Sequence, residues 1–130
     1  MCKTAREFIT GPGECVSEYE TVLEGARKLV DLGVDALPVC GEDRNVLGML
    51  SQRDVVRVVA QRRDPDAIRI GQLAVAVASV DADTPIDHAW TTMMEHDLVH
   101  MPVTDDGRLV GVLRRGELSA HISGRAVVPA

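Results

Sequence analysis

Slid along itself by 64 positions, this 130-residue sequence matches its own second half. ALPV (Ala36 to Val39) falls on HMPV (His100 to Val103), and Val16 falls on Val80. The apolar positions Val22, Ala26, Leu29 and Val30 fall on Ile86, Trp90, Met93 and Met94. After one deletion in the following turn, VLGML (Val46 to Leu50) lies on LVGVL (Leu109 to Leu113). A period of this size means two copies of one supersecondary unit, so the chain must fold as a pair rather than as one irregular domain. The copies divide as 1–63 and 64–130.

Both copies read alike. Val22, Ala26, Leu29 and Val30 in one, and Ile86, Ala89, Trp90, Met93 and Met94 in the other, have the spacing of a helix with one buried face. Thr21 with Glu24 marks the first helix start and Gly33 its end; Thr84 followed by Pro85 at the first helical position marks the second. A short strand follows, then an acidic turn (GEDRN, TDDGR), a second strand and another helical run. The unit is therefore strand, helix, strand, strand, helix, an α/β pattern. Val55, Val56, Val58 and Val59 give the second helix of copy one a broad apolar stripe, expected to pack against the other copy or another subunit. AQRRDPD (Ala60 to Asp66) is the linker, because Pro65 cannot continue a helix. Thr4 to Ile9 and Ile68 to Leu73 are expected to open the two copies.

Composition removes several classes of function. A formal net charge of −6 opposes general attraction to nucleic acid or anionic membrane, and three aromatic residues (Phe8, Tyr19, Trp90) provide no base-stacking platform. The start MCKTAREFIT carries charges without an apolar signal region, and the uncharged run Leu73 to Val80 is far shorter than the ~18 residues of a membrane span. A soluble, unexported, cytoplasmic protein is expected. Cys2, Cys15 and Cys40 form no CxxC, and His88, His96, His100 and His121 lack the spacing of a structural zinc site, so no metal is expected. No nucleophile beside a base and no Walker loop can be read, which argues against catalysis.

One short stretch remains to be explained: GMLSQRD, Gly48 to Asp54. Ser51 and Asp54 make an [ST]xx[DE] capping box, which needs no ligand. Ser51 also stands at a helix N-terminus, where unpaired N–H groups and the helix dipole favour an anion. Gly48, lacking a side chain, lets a ligand or another strand approach the backbone closely.

The paired unit, with LPV closing a strand, an acidic turn, and G-apolar-apolar-Ser-x-x-Asp opening a helix, resembles the cystathionine β-synthase (CBS) domain family, whose two repeats form a Bateman module. The resemblance covers nearly the whole chain. In plan it is similar to small stand-alone pairs of the bacterial hypoxic response protein type. It implies two α/β repeats related by a pseudo-two-fold axis, commonly dimerised, with inter-repeat clefts for AMP, ADP, ATP or S-adenosylmethionine as regulatory ligand and no required cofactor. Family members sense a ligand and pass the change to a partner, and they are generally not catalysts. By this resemblance Ser51 is placed on a phosphate and Asp54 on ribose hydroxyls, with adenine against the strand segments near Val16 and Leu37. His100 stands where some relatives put a phosphate-facing basic side chain, and otherwise reads as an edge histidine.

Copy two departs from the pattern: RRGE replaces SQRD, so Arg114 stands for the serine and Glu117 for the aspartate. Arg114 either binds phosphate, fills the cleft or pairs with Glu117. Cys15 and Cys40 lie on strands that this unit can place side by side, so they are either a disulfide or two reduced thiols. Two functions follow as expectations. One is a non-catalytic, homodimeric sensor of an adenosine-containing ligand acting on a protein partner that the sequence does not name. The other is a stress-associated interaction or scaffold protein with no nucleotide ligand, stabilised by a Cys15–Cys40 disulfide.

Overall fold

The structure, a computed structural model, describes residues 3–9, 13–73 and 75–125, the side chains of 122–125 excepted; Cys2 lies outside these residues. Copy one runs β1 (Val16–Ser17), α1 (Val22–Leu32), β2 (Ala36–Cys40), β3 (Val46–Ser51) and α2 (Gln52–Ala60). Copy two runs β4 (Val80–Asp81), α3 (Ile86–Glu95), β5 (His100–Asp105), β6 (Arg108–Arg114) and α4 (Arg115–Arg125). Each copy makes a three-stranded sheet in which the first strand pairs in parallel with the second and the second antiparallel with the third. The expected strand-helix-strand-strand-helix order is present twice.

Local chemistry explains the helix boundaries. The Thr21 hydroxyl accepts the Glu24 N–H (3.1 Å) and the Glu24 carboxylate accepts the Thr21 N–H (2.8 Å), so two orphan donors of α1 are satisfied. Gly33 ends α1 in the left-handed region at φ 66°, which a β-carbon would penalise. At α3 the expectation is corrected: Pro85 is itself the N-cap, and the helix starts at Ile86. Pro85 has no side-chain acceptor, and the Ile86 N–H is met by the Lys3 carbonyl at 2.8 Å, just as the Val22 N–H of α1 is met by the Ile68 carbonyl at 2.8 Å. Thr21 and Pro85 thus occupy equivalent places, and the two copies are in register at their helix caps.

Apolar burial forms three clusters. Val16, Val22, Leu29, Leu37, Leu50 and Val58 pack between the first sheet and its helices; Ile86, Met93, Met101, Val103, Leu113 and Leu118 do the same in copy two. Ala36, Met49 and Val112, with Val77 against them, fill the space between the two sheets. Strand side chains alternate in direction, so the sheets present one face to helices and the other to each other. The α2 stripe is divided by this arrangement. Val58 is 2 % exposed in the core of its own copy, whereas Val56 and Val59 are 64 % and 59 % exposed and do not pack on the other copy.

The opening segments also differ from expectation, because each packs on the opposite copy. Ala5 is fully buried in the second cluster, with Phe8 and Ile9 against it, and the Ala5 and Arg6 N–H groups donate to the carbonyls of Thr84 and Ala82 (both 2.9 Å). Ile68, Ile70 and Val75 belong to the first cluster, and the Val22 N–H donates to the Ile68 carbonyl at 2.8 Å. The reason is shared by both copies. Each first helix begins with an orphan N–H, and a carbonyl of the opposite copy's opening segment accepts it: Ile68 for Val22 and Lys3 for Ile86.

Candidate functional site

A cleft of about 590 Å³ opens between the two copies. Its apolar side is Ala36, Met49, Val75 and Val77; its polar side is the start of α2 and the turn from α3 into β5. Ser51 closes β3 and caps α2, which aims the cap at the cleft. The Asp54 carboxylate accepts the Ser51 N–H (2.8 Å) and hydroxyl (2.9 Å), while the Ser51 oxygen accepts the Asp54 N–H (3.3 Å). Asp54 is only 19 % exposed, and Arg57 lies 3.5 Å from its other oxygen. The capping box is therefore formed, and Ser51 and Asp54 face the cleft while making it.

Copy two supplies the opposite wall. Asp97, Leu98, Val99 and His100 enter from the end of α3, and Arg115 from the start of α4. Arg115 is held by Asp97 at 3.2 Å. His100 pairs with Arg114 across β5 and β6. Burial holds the His100 imidazole below its ordinary pKa, Arg114 adds to the depression, and Asp35 opposes it. A cation in low dielectric beside a guanidinium is disfavoured, so this histidine is kept neutral.

His100, Val99 and Asp35 also border a second hollow of about 300 Å³, whose other walls are Arg114, Gly116 and Glu117. This is the copy-two counterpart of the Ser51 site. Arg114 lies 3.9 Å from Asp35 and 3.9 Å from Glu117, so its charge is shared between two carboxylates, one from each copy.

Three sequence-derived positions fall elsewhere. Val16 and Leu37, at 0 % and 2 % exposure, lie in the copy-one core and not on the cleft. Ala36 precedes Leu37, and adjacent strand residues face opposite ways, so Ala36 is the one that reaches the cleft. Gly48 is approached by the chain itself: a β-carbon there would stand 1.8 Å from the Val75 carbonyl oxygen, which also accepts the Met49 N–H at 2.9 Å. The segment entering copy two thus lies across β3 and takes the place foreseen for a ligand or strand. Asp35, Met49, Val75, Val77, Asp97 and Arg115 were not foreseen. Asp35, Met49, Asp97 and Arg115 lie in or near the repeated LPV, MPV and SQRD/RRGE motifs, whereas no motif pointed to Val75 and Val77.

Cys15 and Cys40 come together as foreseen for their strands, and both are free thiols. Cys40 is buried, and this burial, with a hydrogen bond to Cys15, pushes its pKa up to about 12. Among the described residues no group of three or more His, Cys, Asp or Glu is arranged to hold a metal ion. No helix of the described residues is long and apolar enough to cross a membrane.

Comparison with known proteins agrees with this architecture. Hypoxic response protein 1 of Mycobacterium tuberculosis is 34% identical over 127 residues, covering 96% of this chain and 89% of that protein. A crystal structure of Hypoxic Response Protein I with two coordinated zinc ions superposes with a TM-score of 0.82, covering 92% of this chain and 98% of that one. The CBS domain protein PAE2072 from Pyrobaculum aerophilum complexed with AMP, 28% identical, also reaches 0.82, covering 97% and 100%. The CBS domain pair of protein MJ0100, in complex with 5′-methylthioadenosine and S-adenosyl-L-methionine, reaches 0.78 at 21% identity, covering 96% and 99%, and shares the fold. The CBS domain model matches residues 5–61 and again 72–124, and with both matches lying on the repeated units the chain belongs to the CBS domain family as a tandem pair.

Proposed function

We propose that this protein is a non-catalytic sensor that binds an adenosine-containing ligand, from the set AMP, ADP, ATP and S-adenosylmethionine, in the cleft between its repeats. The observation that carries this is the cleft itself. It places an apolar wall (Ala36, Met49, Val77) opposite a partly buried carboxylate, Asp54, which is oriented by Ser51. Such a site suits a flat apolar base joined to a polyhydroxylated sugar, whose hydroxyls donate to the carboxylate. The AMP and S-adenosylmethionine complexes of proteins with this fold support the same reading.

The sensor acts as a homodimer in the cytoplasm and passes its state to another protein. Val30, Val56 and Val59, at 78 %, 64 % and 59 % exposure, support a partner surface on α1 and α2. The test is thermal shift and calorimetric titration with the four ligands, beside Asp54→Ala. A ligand that binds only the folded state raises stability by RT ln(1 + [L]/Kd), so millimolar binding is visible. Binding by the native chain and its loss in Asp54→Ala support the proposal. No binding by any of the four at millimolar concentration overturns it.

A second reading has its own observation. The adjacent thiols of Cys15 and Cys40 suit a scaffold that binds no nucleotide and is stabilised by a disulfide between them. Bond formation would send two electrons to an oxidant such as a small-molecule disulfide and release two protons. Closing a loop of about 25 residues would add about 3 to 4 kcal/mol in the chain-entropy view. Peptide mass spectrometry under non-reducing conditions distinguishes a linked pair from two alkylatable thiols.

A further inference from the structure

Three helices of the chain end in the same motif, a left-handed residue followed by one whose N–H turns back to the helix. Gly33 and Val34 do this after α1, Arg62 and Arg63 after α2, and Asp97 and Leu98 after α3. The Val34, Arg63 and Leu98 N–H groups donate to the carbonyls of Leu29, Val58 and Met93 at 3.1, 3.1 and 2.9 Å. An apolar residue ordinarily takes this second place and packs on the helix, as Val34 and Leu98 do. At α2 an arginine stands there instead. The residue before it departs too: Arg62 adopts a φ of 61°, where glycine alone is free of a β-carbon penalty. Two local preferences that favour folding are set aside at one helix end, and strain held in one place by the surrounding fold points to a function there.

Arg63 lines a hollow of about 180 Å³ beside the last turns of α2. Asp54, Arg57, Gln61 and Gln72 share the lining with it, and the apolar remainder is Val58 and Leu73. Arg57 lies 3.5 Å from the Asp54 carboxylate, whereas Arg63 has no ion pair among the described residues. Asp64, next along the chain, accepts the Asp66 N–H at 2.9 Å and does not line the hollow. Neutral donors complete the set. The Gln72 side-chain oxygen accepts the Arg69 N–H at 2.7 Å, which leaves its amide nitrogen to donate, and Gln61 brings a second carboxamide. The negative end of α2, equivalent to about half a charge, opposes an anion. Its carbonyls at Arg57, Val58 and Val59 are already met by the N–H groups of Gln61, Arg63 and Arg62 at 2.9 to 3.1 Å, and the lining keeps one guanidinium in excess of its carboxylate.

We infer that this hollow is a binding site for a small tetrahedral oxyanion, phosphate or sulfate, separate from the cleft between the repeats. Guanidinium forks match such oxygens in pairs, and the two carboxamides add donors between them. No ion pair has to break. Arg63 is unpaired, and Arg57 has donors beyond the one it turns to Asp54. Asp54 also borders the cleft, where it accepts the Ser51 N–H. An anion drawing on Arg57 is therefore felt at Ser51, because the carboxylate stands between them.

The experiment is NMR titration of the isotope-labelled full chain with inorganic phosphate and then sulfate, the ionic strength being held constant with chloride. The expected result is saturable shifts in the millimolar range at the Arg57 and Arg63 Nε–H groups and the Gln61 and Gln72 side-chain amides, with the Ser51 amide moving at the same midpoint. Arg63→Gln keeps the backbone N–H that closes α2 and is expected to bind about fivefold more weakly, the order of effect of one exposed charge. Arg53 lines the cleft, not the hollow, and also has no ion pair among the described residues, so Arg53→Gln is expected to leave these shifts unchanged. Shifts that fail to saturate, or that are equal in Arg63→Gln, overturn the inference as general screening. Shifts lost in Arg53→Gln overturn it by placing the anion in the cleft. Saturable shifts around the hollow with Ser51 unmoved support the site and overturn its link to the cleft.

Discussion

At the scale of single residues, the Ser51–Asp54 pair serves the fold first. Its two reciprocal hydrogen bonds cap α2, so Ser51→Ala is expected to cost about 1 kcal/mol, read as a shift in the urea midpoint with an unchanged slope. Gly48→Ala is expected to be far worse, well above the ~1 kcal/mol typical of point substitutions. A β-carbon 1.8 Å from a backbone oxygen has no rotamer by which to escape. His100 sets a pH dependence. Its folded pKa lies below the unfolded value of ~6.5, so the unfolded chain takes up the proton first. Stability contributed by the neutral ring is present above that value and lost as pH falls through the folded pKa. Thermal melts from pH 8 to 5 are expected to show a decline below pH ~6.5 that His100→Gln flattens. The histidine's location beside MPV was legible from the repeat. Its burial against Arg114 and Asp35 was not, because no local pattern reveals which face of the other copy a strand end meets.

Among elements, legibility followed periodicity. The four helices and the β2–β3 and β5–β6 hairpins were readable because helical and strand spacings repeat in both copies. The faces of β2 were not. All five of its residues, Ala36 to Cys40, are buried, one set against α1 and the other in the middle of the molecule, so no polar alternation shows which is which. The resemblance put adenine near Leu37, and nothing in the strand's own pattern showed that Ala36 is the residue facing the cleft. The α2 stripe divides for the opposite reason: four valines exceed what one packed face needs, and of the two expected packings the exposed pair does not meet the one on the other copy. Val58→Ala is expected to cost about 1 to 2.5 kcal/mol in chemical denaturation because it empties core space, whereas Val56→Ser and Val59→Ser should change monomer stability by no more than about 0.5 kcal/mol. If α1 and α2 are the dimer surface, the paired serine variant run by light scattering will show a lower mass than the native chain at equal concentration.

The molecule as a whole is held across its middle as well as within each copy. Ala36, Met49, Val77 and Val112 pack between the sheets, and the Arg108 guanidinium donates to the Asp43 carbonyl at 3.2 Å, joining the two hairpin turns. Removing residues 1–9 takes Ala5 and Phe8 from the core of copy two and leaves the Ile86 N–H without its Lys3 acceptor. The truncated chain is expected to lose copy two first, seen by hydrogen exchange as faster exchange in α3 and β5 than in α1 and β2. No sequence signal announced this exchange of segments, since stretches of six or seven residues carry no period and do not name their partner. The exchange also sets an order of events during synthesis. Copy one can close as soon as Ile68 to Val75 clear the ribosome, but residues 3–9, made before copy one, must stay unpaired until α3 exists to receive them. Residues 3–9 therefore find their place after copy one although they are made before it, and Ala5, Phe8 and Ile9 stay uncovered for as long as copy one takes to be made.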